Sequence, residues 1–397
     1  MSTDLRAELG AAIDRLSLVD HHVHGATRAD VDRATFEGLI TESDRSIPSW
    51  MTQFDSQIGF AIRRWCAPLL DLPVHAAADH YLDRRTELGF AEVNGRLMQA
   101  SGIGHYLLET GYRGGDILGL DDMARVGSAV VDEIVRLESV AESLAISGVS
   151  AAEFFLGFPA ALADRTAKAV GLKSVVAYRH GFDFDPARPT QAEVTAAAGR
   201  WMSVLAKTGS PRLDDPLLLR FLLWTGVDTG LPIQLHTGYG DPDLRLDRCD
   251  PLLLTPWIKL VEPFGTNLLL LHCYPYQRQA GYLAQVFPQV YFDVGLGISY
   301  TGSRSDAVVA ESLELAPFSK ILFSSDAWGP PELHFLGAHL WRRGMKSALG
   351  GWVEAGDWSL PDAVRVAGMI GVDNARRVYQ LPPDSARPGS TDRVASR

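Results

Sequence analysis

The stretch VDHHVHG, residues 19–25, sets two histidines one residue apart at the end of an apolar run. Alternate side chains of a β-strand share a face, so His22 and His24 project together with Asp20, and His21 points to the other side. Imidazoles spaced about 7 Å along a strand can converge on one divalent ion through bonds of about 2.0–2.1 Å. Three further residues each close an apolar run: His236 after LPIQL, His272 after NLLLL and Asp326 after ILFSS. Taken singly, each of these histidines reads as a hydrogen-bonded interior residue. Four imidazoles and a carboxylate, all at strand ends, are hard to obtain by chance.

Something must carry those ends to one place. Eight short apolar segments read as strands: 16–24, 105–110, 134–140, 172–178, 231–236, 267–272, 289–295 and 319–326. Between them lie helix-like stretches such as AALADRTAKAVG, capped at Gly171, and AGYLAQVF. Strands alternating with helices predict parallel βα units, and eight of them predict a closed (β/α)₈ TIM barrel, α/β in class. In that architecture the C-terminal strand ends surround one cavity, where the chemistry sits. The long connection after the first strand predicts a helical cap insertion over 26–100, rich in helix-like faces and carrying Arg63, Arg64 and Trp65. A second long connection, 179–230, contains the helical TQAEVTAAAGRWMSVLAKTG. The expected organisation is one barrel over 1–381 and a disordered tail over 382–397, where apolar periodicity stops.

At 397 residues, 46% hydrophobic and 21% charged, the chain can bury a large core. A net charge of −11 with no basic run opposes a nucleic-acid partner. No apolar run reaches membrane-spanning length and no signal-peptide core is present, so the chain reads as soluble and cytoplasmic. Three cysteines without CxxC spacing oppose a disulfide framework or thiolate zinc site. A GxSxG elbow, a dinucleotide GxGxxG and a phosphate-binding GxxxxGK[ST] are all missing, which removes serine hydrolases and nucleotide-dependent readings. The expected partner is a small-molecule substrate, and self-association stays open.

With HVH, QLHTGYGD, LLHCYP and SSDAW in place, the sequence resembles the amidohydrolase superfamily of metal-dependent hydrolases. More narrowly, GLKSVVAYRHG, QLHTGYGDPDLRL, VYFDVGL and ILFSSDAWGPPE resemble the amidohydrolase-like half of FluG and nodulin–glutamine-synthetase proteins. The resemblance runs from about residue 16 to about 380 and excludes the synthetase half. It implies that His22, His24 and His236 bind Zn²⁺ or a similar divalent ion together with Asp326. It implies that Asp326 accepts the proton of the attacking water and that His272 polarises the scissile carbonyl or orients the water. Such an ion lowers the pKa of water from ~15.7 toward ~7. Lys173, near the fourth strand, is either a carbamate bridging a second ion or a lysine paired with a carboxylate, lying early in its strand. One metal ion is therefore the minimum and two are compatible.

Other residues stand where substrate could be held. Arg179 sits at the expected end of the fourth strand and could grip a carboxylate through its fork. Arg136 shares a face of the third strand with Glu138 and is read as a substrate contact or an internal ion pair. Tyr239 and Asp241 follow the fifth strand, as pocket residues or as turn chemistry, and Tyr274 is similarly placed. Glu332 and His334 read as loop surface. The predicted activity is hydrolysis of a C–N bond in a small amide, in the sharpest form a γ-glutamyl amide. The alternatives are metal-dependent decarboxylation of a small unsaturated or aromatic acid, and a catalytically silent binding barrel.

Overall fold

The alternating pattern folds into one seven-stranded parallel sheet in sequence order: β1 (Leu18–Val23), β2 (Ile103–Glu109), β3 (Val130–Arg136), β4 (Gly171–Ser174), β5 (Ile233–His236), β6 (Leu268–Leu271) and β7 (Val290–Phe292). The structure is a computed structural model that describes residues 2–382, with side chains from residue 4 onward. The tail expected over 382–397 lies outside the described residues, except Pro382. Among the described residues no helix is long and apolar enough to cross a membrane. Cys66, Cys249 and Cys273 are buried and free, as their spacing predicts.

Period-two patterning divides the strand side chains between two cores. Val19, Leu107, Ile134, Leu269, Leu271, Tyr291 and Leu322 pack with Val378, Tyr379 and Leu381 in one cluster. Their neighbours Leu18, Tyr106, Leu108, Leu268, Leu270, Val290 and Phe292 join the larger cluster shared with the helices. Most strand residues are therefore covered on both faces, the usual state of an all-parallel sheet, with the first half of β3 only partly buried.

The eighth expected strand, 319–326, does not form a ladder. It makes one isolated bridge, Phe292 to Ile321. Backbone hydrogen bonds nevertheless reach both sheet edges: Leu322 N–H donates to Phe292 O (3.1 Å), His21 N–H to Phe323 O (3.2 Å) and His24 N–H to Ala327 O (2.9 Å). Two buried carboxylates hold this segment, and one of them takes a backbone N–H that a ladder would use. Ser325 donates to Asp20 through its N–H (3.0 Å) and hydroxyl (2.5 Å), and the Ser324 hydroxyl donates to Asp293 (2.7 Å).

Three other elements differ from expectation. The third strand is 130–136 rather than 134–140, because Leu137, Val140, Ala141 and Ala145 follow helical spacing and bury one face of the helix Leu137–Ile146. Glu138 thus leaves the strand and shares no strand face with Arg136. The fourth strand ends at Ser174 rather than 178, and a short helix, Val176–Arg179, follows at once. Gly171 opens β4 instead of capping a helix; the preceding helix is Ala151–Arg165, started by a Ser150–Glu153 capping box. The helix at 191–208 forms as expected, with Thr190 and Glu193 as capping box and Gly209 left-handed at its end (φ 71°).

Between β1 and β2 the chain forms the helices Arg33–Gly38, Gln57–Ala61, Ala78–Leu88 and Phe90–Ala100. This segment is tied to the rest by Glu332, which is not loop surface. It is fully buried in the first turn of the helix Pro331–Ala355, where Arg85 pairs with it at 2.6 Å and Tyr81 donates to it at 2.7 Å. His334, on the same helix, is likewise buried.

Candidate metal and catalytic site

The side chains of His22, His24, His236, His272 and Asp326 gather at the C-terminal ends of β1, β5 and β6 and in the bridging segment 321–327. Ring centroids lie 5.2 Å apart for His22 and His24, 5.1 Å for His22 and His272, and 4.9 Å for His236 and His272. Asp326 sits among them. Its Oδ1 is 3.1 Å from His22 Nε2 and 3.7 Å from His24 Nε2, and its Oδ2 is 3.3 Å from His272 Nε2. One donor atom each from His22, His24 and Asp326 lie within 4.8 Å of one another.

The register of β1 with β2 shifts between Asp20 and Val23. His21 Nδ1 contacts Tyr379 Oη (3.0 Å). Gln234 donates to the same Tyr379 oxygen (2.8 Å) and contacts His22 Nδ1 through its Oε1 (2.7 Å). The last contact makes His22 Nδ1 the donor and turns its Nε2 lone pair toward Asp326.

Each remaining site residue has its own support. His24 Nδ1 faces Glu109 Oε2 at 3.3 Å, and Arg136 holds that carboxylate with bonds of 2.5 and 3.1 Å. Asp293 accepts from the backbone N–H groups of His272 (3.0 Å) and Gly295 (2.8 Å) and lies 3.0 Å from His21 Nε2. His272 and Asp326 both adopt left-handed backbone, φ 67° and 50°. Such conformations cost of order 1–3 kcal/mol for residues other than glycine and persist where surrounding contacts impose them.

The electrostatics suit neutral imidazole donors. Burial holds His22, His236 and His272 well below the ordinary histidine pKa, with the Lys173 ammonium acting in the same direction. Burial also lowers His24. Burial pushes Asp326 up, and the charges of His24 and Lys173 pull it back; a divalent cation would act in that second direction. Among the described residues, the Nε2 of His236 and both ring nitrogens of His272 have no hydrogen-bond partner although buried. Orphaned polar atoms of this kind are costly unless something occupies them. Neutral imidazoles plus one carboxylate, with a lone pair of His236 unspent, fit a divalent ion of the Zn²⁺ class.

Lys173 does not lie too deep in its strand. β4 is short, so Lys173 is its penultimate residue, and its buried Nζ reaches His22 Nε2 at 3.2 Å. The two expected carboxylate grips are occupied by protein acids. Arg179 lies on the short helix after β4 and pairs with Glu142 at 3.2 Å, and Arg136 belongs to Glu109. Tyr239 and Asp241 do line a cleft of about 430 Å³, together with Glu42 and Gly240. A Cβ at Gly240 would strike Tyr178 Oη and sit 3.0 Å from His236 Nε2, so only glycine lets this loop pass the cluster. Tyr274 lines a second cleft with Tyr300.

Sequence reasoning missed Gln234, Glu109, Asp293 and Glu42. Gln234 and His236 share a strand face in IQLH, and Asp293 follows VYF as Asp326 follows ILFSS, so both had a usable signal. Glu42, in an irregular loop, had none.

The amidohydrolase family model matches residues 19–381. The chain is 31% identical over 259 residues to the protein fluG of Emericella nidulans, covering 62% of this chain and 30% of fluG. The chain thus spans under a third of that relative's length. A crystal structure from Lactobacillus casei, described as a metal-dependent hydrolase, is 28% identical with a TM-score of 0.83, covering 94% of this chain and 97% of that one. A uronate isomerase from Bacillus halodurans gives a TM-score of 0.64 at 13% identity, over 96% and 97% of the two chains, a likeness of fold alone.

Proposed function

The chain belongs to the amidohydrolase family, and on that premise we propose that it is a metal-dependent hydrolase cleaving the C–N bond of a small amide with an activated water. The observation that carries this reading is the convergence of His22, His24 and Asp326 donor atoms within 4.8 Å, beside the unpartnered His236 Nε2. We read the segment 321–327 as the eighth stave of a barrel and 26–100 as its cap.

His22, His24, His236 and Asp326 would hold one divalent ion, Zn²⁺ by the chemistry of the set. Such an ion supplies Lewis acidity that brings the ionisation of water into the neutral range. Asp326, with Oδ1 toward His22 and Oδ2 toward His272, accepts the proton of the attacking water and returns it to the departing amine. His272, held from behind by Asp293, steadies the charge that grows on the carbonyl oxygen. The Arg136–Glu109 pair fixes the ring of His24.

A γ-glutamyl substrate rests on the likeness to fluG alone, since Arg179 is engaged by Glu142. Decarboxylation is less well supported, because Arg136 is bound to Glu109 and Arg179 faces Glu142 through its Nη2. A silent barrel is disfavoured because no expected ligand or base is missing.

The test is turnover of a panel of small amides before and after chelation. Amine release should stop on chelation and return with Zn²⁺. Evolution of CO₂ from unsaturated or aromatic acids without amine release would replace this reading with the decarboxylase. Metal-loaded protein that turns over neither class would contradict both.

Lys173→Ala separates one ion from two. His22, His24 and Asp326 converge without it, so this variant should keep one metal equivalent. A fall from two equivalents to one, with the mass of CO₂ present on the unsubstituted protein only, would establish a carbamate-bridged pair.

A further inference from the structure

We propose, building on the hydrolase reading of the adjoining histidine cluster, that the cleft between loops 41–43 and 239–246 receives an ammonium-bearing part of the substrate. The cleft has a volume of about 430 Å³, and its lining contains the carboxylates of Glu42 and Asp241 but no lysine or arginine. Among the described residues neither acid has a cation of its own. Glu42 accepts a hydrogen bond from the Tyr300 hydroxyl, and its charged neighbours, Asp326 and Asp241, carry its own sign. Asp241 accepts the Asp243 N–H at 2.9 Å, while the nearby Arg212 spends its guanidinium on Asp243 at 3.0 Å.

A carboxylate substituent entering here would meet like charge, whereas an ammonium would relieve the repulsion among these acids and gain charge-assisted hydrogen bonds. The ring of Tyr239, which lines the cleft and packs edge to face against Tyr300 at 5.6 Å, adds aromatic surface of the kind cations favour. The cleft also leads to the chemistry. Its lining residue Gly240 lies against His236, which is buried (4% exposed) and whose Nε2 has no hydrogen-bond partner among the described residues. An occupant of the cleft would therefore sit beside the proposed reaction centre.

The test compares butylammonium with 1-butanol by calorimetry at pH 7, where an alkylamine with a pKa near that of lysine, about 10.4, stays charged. Wild-type protein should bind butylammonium more tightly than the alcohol. Glu42→Gln and Asp241→Asn should each weaken the amine by about tenfold and leave the alcohol unchanged. Asp164→Asn, which removes an exposed carboxylate on the helix Ala151–Arg165, should bind both as wild type does. Equal binding of amine and alcohol by wild type, or unaltered amine binding in both cleft variants, would overturn the proposal. Metal content and amide hydrolysis are measured on the same samples. Loss of amine selectivity with hydrolysis intact removes the cleft assignment alone; amine selectivity without metal or hydrolysis removes the hydrolase reading alone.

Discussion

Asp326→Asn should retain the fold and the metal while losing amide hydrolysis by about 10²–10⁴, the usual contribution of a general base. Asparagine keeps the size of the side chain and one oxygen for a metal, but it cannot take a proton. Asp326 lies within 3.1–3.7 Å of three imidazoles, a placement that only a shared ligand or proton makes economical. Its backbone is held by the N–H donated to His22 O at 3.2 Å, which the substitution leaves intact. Steady-state rates, metal content and a melting curve on the same preparation check the prediction. Near-normal turnover would move the base role to His272.

The His22→Ala/His24→Ala double variant should hold no stoichiometric metal and show no metal-dependent turnover. It deletes two of the three donors that converge within 4.8 Å, leaving Asp326 and His236 as an incomplete set. Folding should survive, because the cluster of Val19, Leu107, Ile134 and Leu269 packs without either imidazole. Elemental analysis alongside circular dichroism reads the result. A folded double variant with a full metal equivalent would place the metal elsewhere.

Why these residues were legible follows from strand geometry. In parallel βα units the carboxyl ends of all strands face one way, so a polar residue closing an apolar run is automatically at the rim. His236, His272 and Asp326 obeyed that rule even where the ladder itself lapsed, as around Asp326. Local pattern failed where two periods overlap. In EIVRLESVAESLAI the same apolar residues satisfy a strand and a helix, and long-range pairing with β2 and then β4 decides that the strand ends at Arg136. Nor does local pattern show the link between His21 and His22, which runs through Tyr379 and Gln234. Arg179 was placed at a strand end for a related reason: its position depends on where β4 stops, and its partner Glu142 is supplied by another element. The supporting residues Gln234, Glu109 and Asp293 are common types whose meaning comes from contacts up to 272 positions away, as between Asp293 and His21. No single-segment pattern carries such information.

The most direct test is anomalous X-ray scattering from crystals of the purified protein at the absorption edge of whatever metal elemental analysis finds. The account predicts a peak enclosed by His22 Nε2, His24 Nε2, His236 Nε2 and an Asp326 carboxylate oxygen. A protein that hydrolyses amides with no metal at that position, or with its metal bound away from these four residues, would contradict it.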